Sequence, residues 1–136
     1  MTENNMLPDL QSSLLCDDVR QERNGKFMLI GLFDGLGVPQ YPAVFQKLCL
    51  VNRWCCGQGE FVQSSRIVGT DGVTVLAQGK QVAIRLPHEM ATATSVEIFL
   101  NVKLETPGTY WVEVILEESM RIRYPLQARE VKQKSS

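Results

Sequence analysis

Apolar and polar residues alternate along this chain with the period of an extended strand, and almost nowhere with the period of a helix. The clearest run places Val96, Ile98, Leu100, Val102 and Leu104 between Glu97, Phe99, Asn101, Lys103 and Glu105, which predicts a strand with the first set facing the core. Tyr110, Val112, Val114 and Leu116 repeat the pattern, as do Met120, Ile122, Tyr124 and Leu126. Three consecutive strands with one buried face each predict an antiparallel meander. In that reading Phe99, Trp111 and Ile115 share the opposite face, where they either form an outer apolar patch or are covered by the N-terminal segment or a crossing loop.

Turn signals divide the rest of the chain into short apolar runs. Asn24-Gly25 separates Ser13–Glu22 from Lys26–Phe33, and Asn-Gly favours the positive φ angles of a two-residue type I′ hairpin. The run Phe27-Met28-Leu29-Ile30-Gly31-Leu32-Phe33 is apolar at both parities, as expected of a central strand covered on both faces. Residues 34–42 contain Gly35, Gly37, Pro39 and Pro42 and read as an irregular connection. Phe45–Cys55 and Glu60–Val68, divided by Gly57-Gln58-Gly59, read as a second hairpin. Asp71-Gly72 marks a further turn before Val73–Ala77, and Gln81–Leu86 should stop at Pro87. The pattern predicts a single all-β domain, an antiparallel, immunoglobulin-like β-sandwich of about seven or eight strands spanning residues 13–128. Residues 1–12 are left as an N-terminal segment free to be disordered, and 129–136 as a polar tail that frays from Lys132 onward.

Leu104-Glu105-Thr106-Pro107-Gly108-Thr109-Tyr110 sets a tyrosine just after a glycine at the mouth of a strand. This resembles the tyrosine corner of immunoglobulin-like and fibronectin-like sandwiches, in which the phenol hydroxyl bonds backbone a few residues upstream.

Composition narrows the classes of function. The length of 136 residues suits one domain that folds without a metal or staple. Fourteen Lys and Arg against fifteen Asp and Glu give a formal charge of −1, so no basic excess draws the chain to nucleic acid or to an anionic membrane. Neither a signal sequence nor a membrane-spanning apolar run is present, so Cys16, Cys49, Cys55 and Cys56 are expected as reduced thiols of a cytoplasmic protein.

Candidate chemistry is sparse. His88, in a loop after Pro87, lacks an evident nucleophile to serve, and the four cysteines lack the paired spacing of a zinc site. Asp17 and Asp18 are neighbours in a predicted strand and point to opposite faces, while Asp34 and Asp71 sit beside glycines as turn formers. No catalytic residue, metal or cofactor is therefore expected.

Leu15-Cys16-Asp17-Asp18-Val19-Arg20-Gln21-Glu22, then Gly25-Lys26 and Leu29-Ile30-Gly31-Leu32-Phe33-Asp34, resemble the opening of a family of uncharacterised bacterial proteins, a domain of unknown function. Pro107-Gly108-Thr109-Tyr110 matches the late Pro-Gly-x-Tyr of the same family, so the resemblance spans Leu14 to about Leu126. It implies a small bacterial β-rich domain and brings no activity or site with it. The expectation is a non-enzymatic protein-binding or scaffolding module that contacts a partner protein, a second copy of itself included, through Phe99, Trp111 and Ile115. The alternative is a lectin-like module holding a saccharide or small ligand on an exposed Trp111 or Trp54.

Overall fold

The structure, a computed structural model, describes residues 5–132. Among the described residues there are ten strands: β1 (Asp9–Gln21), β2 (Phe27–Phe33), β3 (Gly35–Val38), β4 (Ala43–Cys55), β5 (Gly59–Val68), β6 (Val75–Gln78), β7 (Val82–Leu86), β8 (Thr92–Leu104), β9 (Gly108–Leu116) and β10 (Ser119–Glu130). They form a four-stranded sheet in the order β2-β1-β4-β8 and a six-stranded sheet in the order β3-β10-β9-β5-β6, with β7 also paired to β5. The two sheets pack face to face as a β-sandwich.

Strand β1 begins at Asp9, four residues before the expected start, because Leu10 and Ser12 continue the ladder with β4 opposite Trp54 and Arg53. The predicted fraying beyond Lys132 lies outside the described residues. Strands β1 and β2 pair antiparallel as expected, from Leu15 with Phe33 to Gln21 with Phe27. Their turn is not type I′, however. Only Gly25 has a positive φ (89°), the Gly25 N–H donates to the Glu22 carbonyl, and the Glu22 N–H donates to the Lys26 carbonyl. This is a three-residue loop closing on a glycine bulge, with the Asn24 side chain accepting from the Lys26 N–H (3.0 Å).

Three further expectations fail for one reason: the chain changes sheet more often than adjacency in sequence implies. Strands β4 and β5 do not form a hairpin, since Gly57-Gln58-Gly59 carries the chain from the four-stranded to the six-stranded sheet. Strand β8 lies in the four-stranded sheet and β9 in the other, so the predicted three-strand meander reduces to the β9–β10 hairpin. The supposedly irregular segment after Asp34 contains β3, which pairs parallel with the last strand from Gly35 with Gln127 to Val38 with Glu130.

At the β8–β9 crossing, the Tyr110 hydroxyl donates to the Thr106 carbonyl at 2.6 Å, the tyrosine corner expected from sequence. Leu15, Leu48, Leu50, Phe99, Val102, Leu104, Ile67, Tyr110, Val112 and Leu126 fill the larger part of the core, and Trp54, Phe61, Ile84, Leu86, Val114 and Leu116 the remainder. Strand β9 contributes the alternate residues that its pattern predicts. Strand β8 does not. Asn101 adopts a left-handed conformation (φ 54°) and its position opposite Gln46 drops out of the ladder, so both Phe99 and Val102 point inward. Val96 is thereby left half-buried, while Ile98 and Leu100 are exposed. In β10 a register shift between Met120 and Ile122 leaves both exposed, and the inward contacts come from Tyr124, Leu126 and Ala128.

A candidate interaction surface

The outer face of the four-stranded sheet carries an apolar band, bounded by Arg53 and Thr94 at one end and by the Lys47–Asp18 pair at the other. Register aligns Leu32, Cys16, Cys49 and Ile98 in one row across all four strands, and Leu14, Val51 and Val96 in the next. Residues directly opposite in a ladder share a face, so these side chains form one surface, with Leu100 extending it along β8. Leu32, Ile98 and Leu100 are 59%, 54% and 66% exposed. Beneath them Cys16 and Cys49 are fully buried free thiols, covered by Val19 and Leu29 of the β1–β2 arm. Burial pushes both thiols up, so neither is an activated nucleophile.

This face ends at β2, an edge strand where a central one was expected. An apolar run of both parities signals only that neither face is polar, and here Phe27, Met28, Ile30 and Leu32 are open to solvent. The other sheet edges are protected in ways that limit edge-to-edge pairing. Strand β8 has β6 and β7 of the opposite sheet packed against it. Strands β3, β6 and β7 are four or five residues long, and Lys80 and Arg85 lie in or beside the last two. Strand β2 runs seven residues without a charge or a proline. Its single interruption is Gly31, whose positive φ (70°) and contact with the Asp17 carboxylate break the ladder with β1 at that position.

The predicted site residues do not assemble. Phe99 is 3% exposed and sits in the core on the inner face of β8, put there by the parity change at Asn101. Trp111 and Ile115 lie half-buried on the outer face of the other sheet. There Arg66, Glu113 and Arg123 stand side by side across β5, β9 and β10. Glu113, 5% exposed, takes Arg66 at 2.5 Å and Arg123 at 3.7 Å, and the Arg123 guanidinium lies 4.5 Å from the centre of the Trp111 ring. A guanidinium over an indole face is a cation–π contact. Trp54 is fully buried, so neither tryptophan presents an open aromatic platform.

A second buried carboxyl lies between the sheets and was not anticipated. Strand β5 pairs with β7 up to Gln63 and with β6 from Arg66. In the gap, the Ser65 carbonyl accepts from Gly79 N–H (2.8 Å), and the Ser65 N–H donates to the Glu97 carboxyl (3.1 Å), reached across from β8. Asn52, Gln63, Ser65 and Ser95 surround it, joined through Gln63 Oε1, which also accepts from the Trp54 indole N–H. Burial pushes the Glu97 carboxyl up, partly offset by the hydrogen bonds from Ser65 and Gln63. The arrangement clips one sheet to the other. The sequence held a signal for it, since Ser95 and Glu97 share the parity of Phe99 on one strand.

The remaining sequence candidates are local. Asp71 accepts from the Val73 and Thr74 N–H groups and the Thr74 hydroxyl, which holds its carboxyl down at about 2. His88 accepts from the Met90 N–H in an exposed loop. Asp18 pairs with Lys47 (2.6 Å), and Cys56 is exposed at the end of β4. Among the described residues, no three His, Cys, Asp or Glu side chains converge to hold a metal, and no helix is long and apolar enough to cross a membrane.

Fold and surface together describe a two-sheet β-sandwich whose most distinctive exposed feature is one apolar sheet face with an open edge. Residues 11–129 match the family described as "Family of unknown function (DUF6941)", and the chain belongs to it. No curated protein matches the chain.

Proposed function

We propose that this chain is a non-enzymatic docking module, binding an extended segment of protein that adds antiparallel to β2 and rests its apolar side chains on the outer face of the four-stranded sheet. The observation that carries this reading is the unprotected β2 edge with Leu32 exposed on it, while Ile98 and Leu100 stand exposed on the same outer face at β8. Backbone groups along a free edge supply affinity in β-strand addition, and the flanking apolar surface supplies burial. Four unbonded cysteines, Cys56 among them exposed, agree with a reducing, cytoplasmic setting.

A photo-crosslinking amino acid at Leu32 or Leu100, compared with one at Arg85 beside the other sheet's edge, tests the reading in cells. Adducts to protein are expected at Leu32 and Leu100 and not at Arg85. Failure to form any protein adduct at the first two positions would overturn it.

A further inference from the structure

The segment from Lys26 to Asp34 reads Lys-Phe-Met-Leu-Ile-Gly-Leu-Phe-Asp. About Ile30 it is chemically symmetric. Antiparallel pairing with an identical strand, two-fold axis at Ile30, sets Phe27 opposite Phe33 of the second copy, Met28 opposite Leu32, and Lys26 opposite Asp34. The same pairs recur on the other side of the axis. Among the described residues neither Lys26 nor Asp34 has an ion-pair partner within the chain, and both are exposed.

We infer that the strand added to β2 is the β2 of a second copy of this chain, which joins two four-stranded sheets into one continuous eight-stranded sheet. This rests on the docking function proposed above and names its occupant.

Charge selects the arrangement. A parallel alignment stacks Lys26 on Lys26 and Asp34 on Asp34, and a one-residue slip removes both the aromatic pairs and the ion pairs. Like charges directly opposite in a ladder are destabilising and opposite charges stabilising. The interruptions at the two Gly31 residues fall symmetrically about Ile30, each facing Leu29 of the other copy. A two-fold pairing of this kind uses the same patch on both copies and closes after two, so the open edge disappears without propagating into a filament.

Sedimentation of the full chain tests the inference with three variants. The wild type is expected to sediment as a dimer, and Ile30→Lys, which sets two ammonium groups together on the axis, as a monomer with an unchanged circular dichroism spectrum. Lys26→Glu turns two attractive cross-strand pairs repulsive and should weaken the dimer by about 10-fold at low salt. Lys26→Glu combined with Asp34→Lys should restore it, even if Ile30→Lys proves unable to fold. A wild type that remains monomeric at its solubility limit, or a dimer indifferent to both the charge reversal and its restoration, overturns the inference. If the wild type is monomeric yet Leu32 crosslinks to another protein, self-pairing fails while the docking function stands.

Discussion

The two sheets of this sandwich share one core yet present opposite chemistry to the outside. On the six-stranded sheet, Arg66, Glu113 and Arg123 form a row over β5, β9 and β10, and Arg123 covers Trp111. Polar groups that satisfy one another seal that face. On the four-stranded sheet the corresponding rows are Leu32-Cys16-Cys49-Ile98 and Leu14-Val51-Val96, and Leu32 and Ile98 at the two ends of the first are open to solvent. The contrast teaches that an aromatic residue on an outer face is weaker evidence for an interface than a run of aliphatic residues ending at an open edge. Trp111 drew attention in the sequence, but its neighbours already occupy it.

Consecutive positions on β8 break the comparison most sharply. Phe99→Ala should destabilise the fold by about 3–5 kcal/mol, as for a buried aromatic, while Ile98→Ala should cost less than about 1 kcal/mol. Urea midpoints of the two variants measure this, and a larger loss for Ile98→Ala than for Phe99→Ala would mean that the strand has the parity its alternation suggested.

Next in size is the sealed face. Removing the carboxylate in Glu113→Ala strands Arg66 and Arg123 against each other and should cost about 1–3 kcal/mol, read from the same unfolding curves. The carboxyl between the sheets behaves differently because no cation faces it. The folded-state pKa of Glu97 is raised, so its contribution is fully present below the ordinary glutamate value and is lost as pH rises through the folded value. Glu97→Gln should therefore gain on the wild type as the pH of unfolding is taken from 4 toward 8. A constant difference between Glu97→Gln and wild type across that range counts against the assignment.

The smallest expected effect is Leu100→Lys. On an exposed, unpartnered position it should change stability by no more than about 0.5 kcal/mol. A loss of several kcal/mol would show that something in the chain already covers the apolar face.

Period-two patterning recovered the all-β class, the β1–β2 pairing, the buried side of β9 and the tyrosine corner, because each depends on residues close together in sequence. It missed what depends on partners elsewhere. The apolar run Phe27–Phe33 looked central because hydrophobicity records what a side chain avoids and not what covers it. Val96, Ile98 and Leu100 looked internal because their strand is apolar on its outside and carries Ser95 and Glu97 on its inside, where Ser95 donates to Gln63 and Glu97 accepts from the Ser65 N–H. One left-handed residue, Asn101, switches the parity, so that only Val102 and Leu104 beyond it are buried as the alternation predicts. The sheet changes after β4 and β8 left no mark in local pattern, and Gly35–Val38 hid a strand because its neighbour arrives about ninety residues later.

The ladder between β1 and β4 stops at the Cys16–Cys49 pair, and beyond it β1 is bonded to β2 alone. Residues 17–31 are thus a two-stranded ribbon, anchored through Val19, Leu29 and the Asp18–Lys47 pair. A ribbon without a third strand is marginal in water. Its amide hydrogens should exchange with solvent by local opening, well before those of β9, which is bonded on both sides. A strand supplied from outside would be that third strand. The slowing of exchange in β2 with increasing protein concentration then becomes a direct record of assembly, visible residue by residue in the free chain.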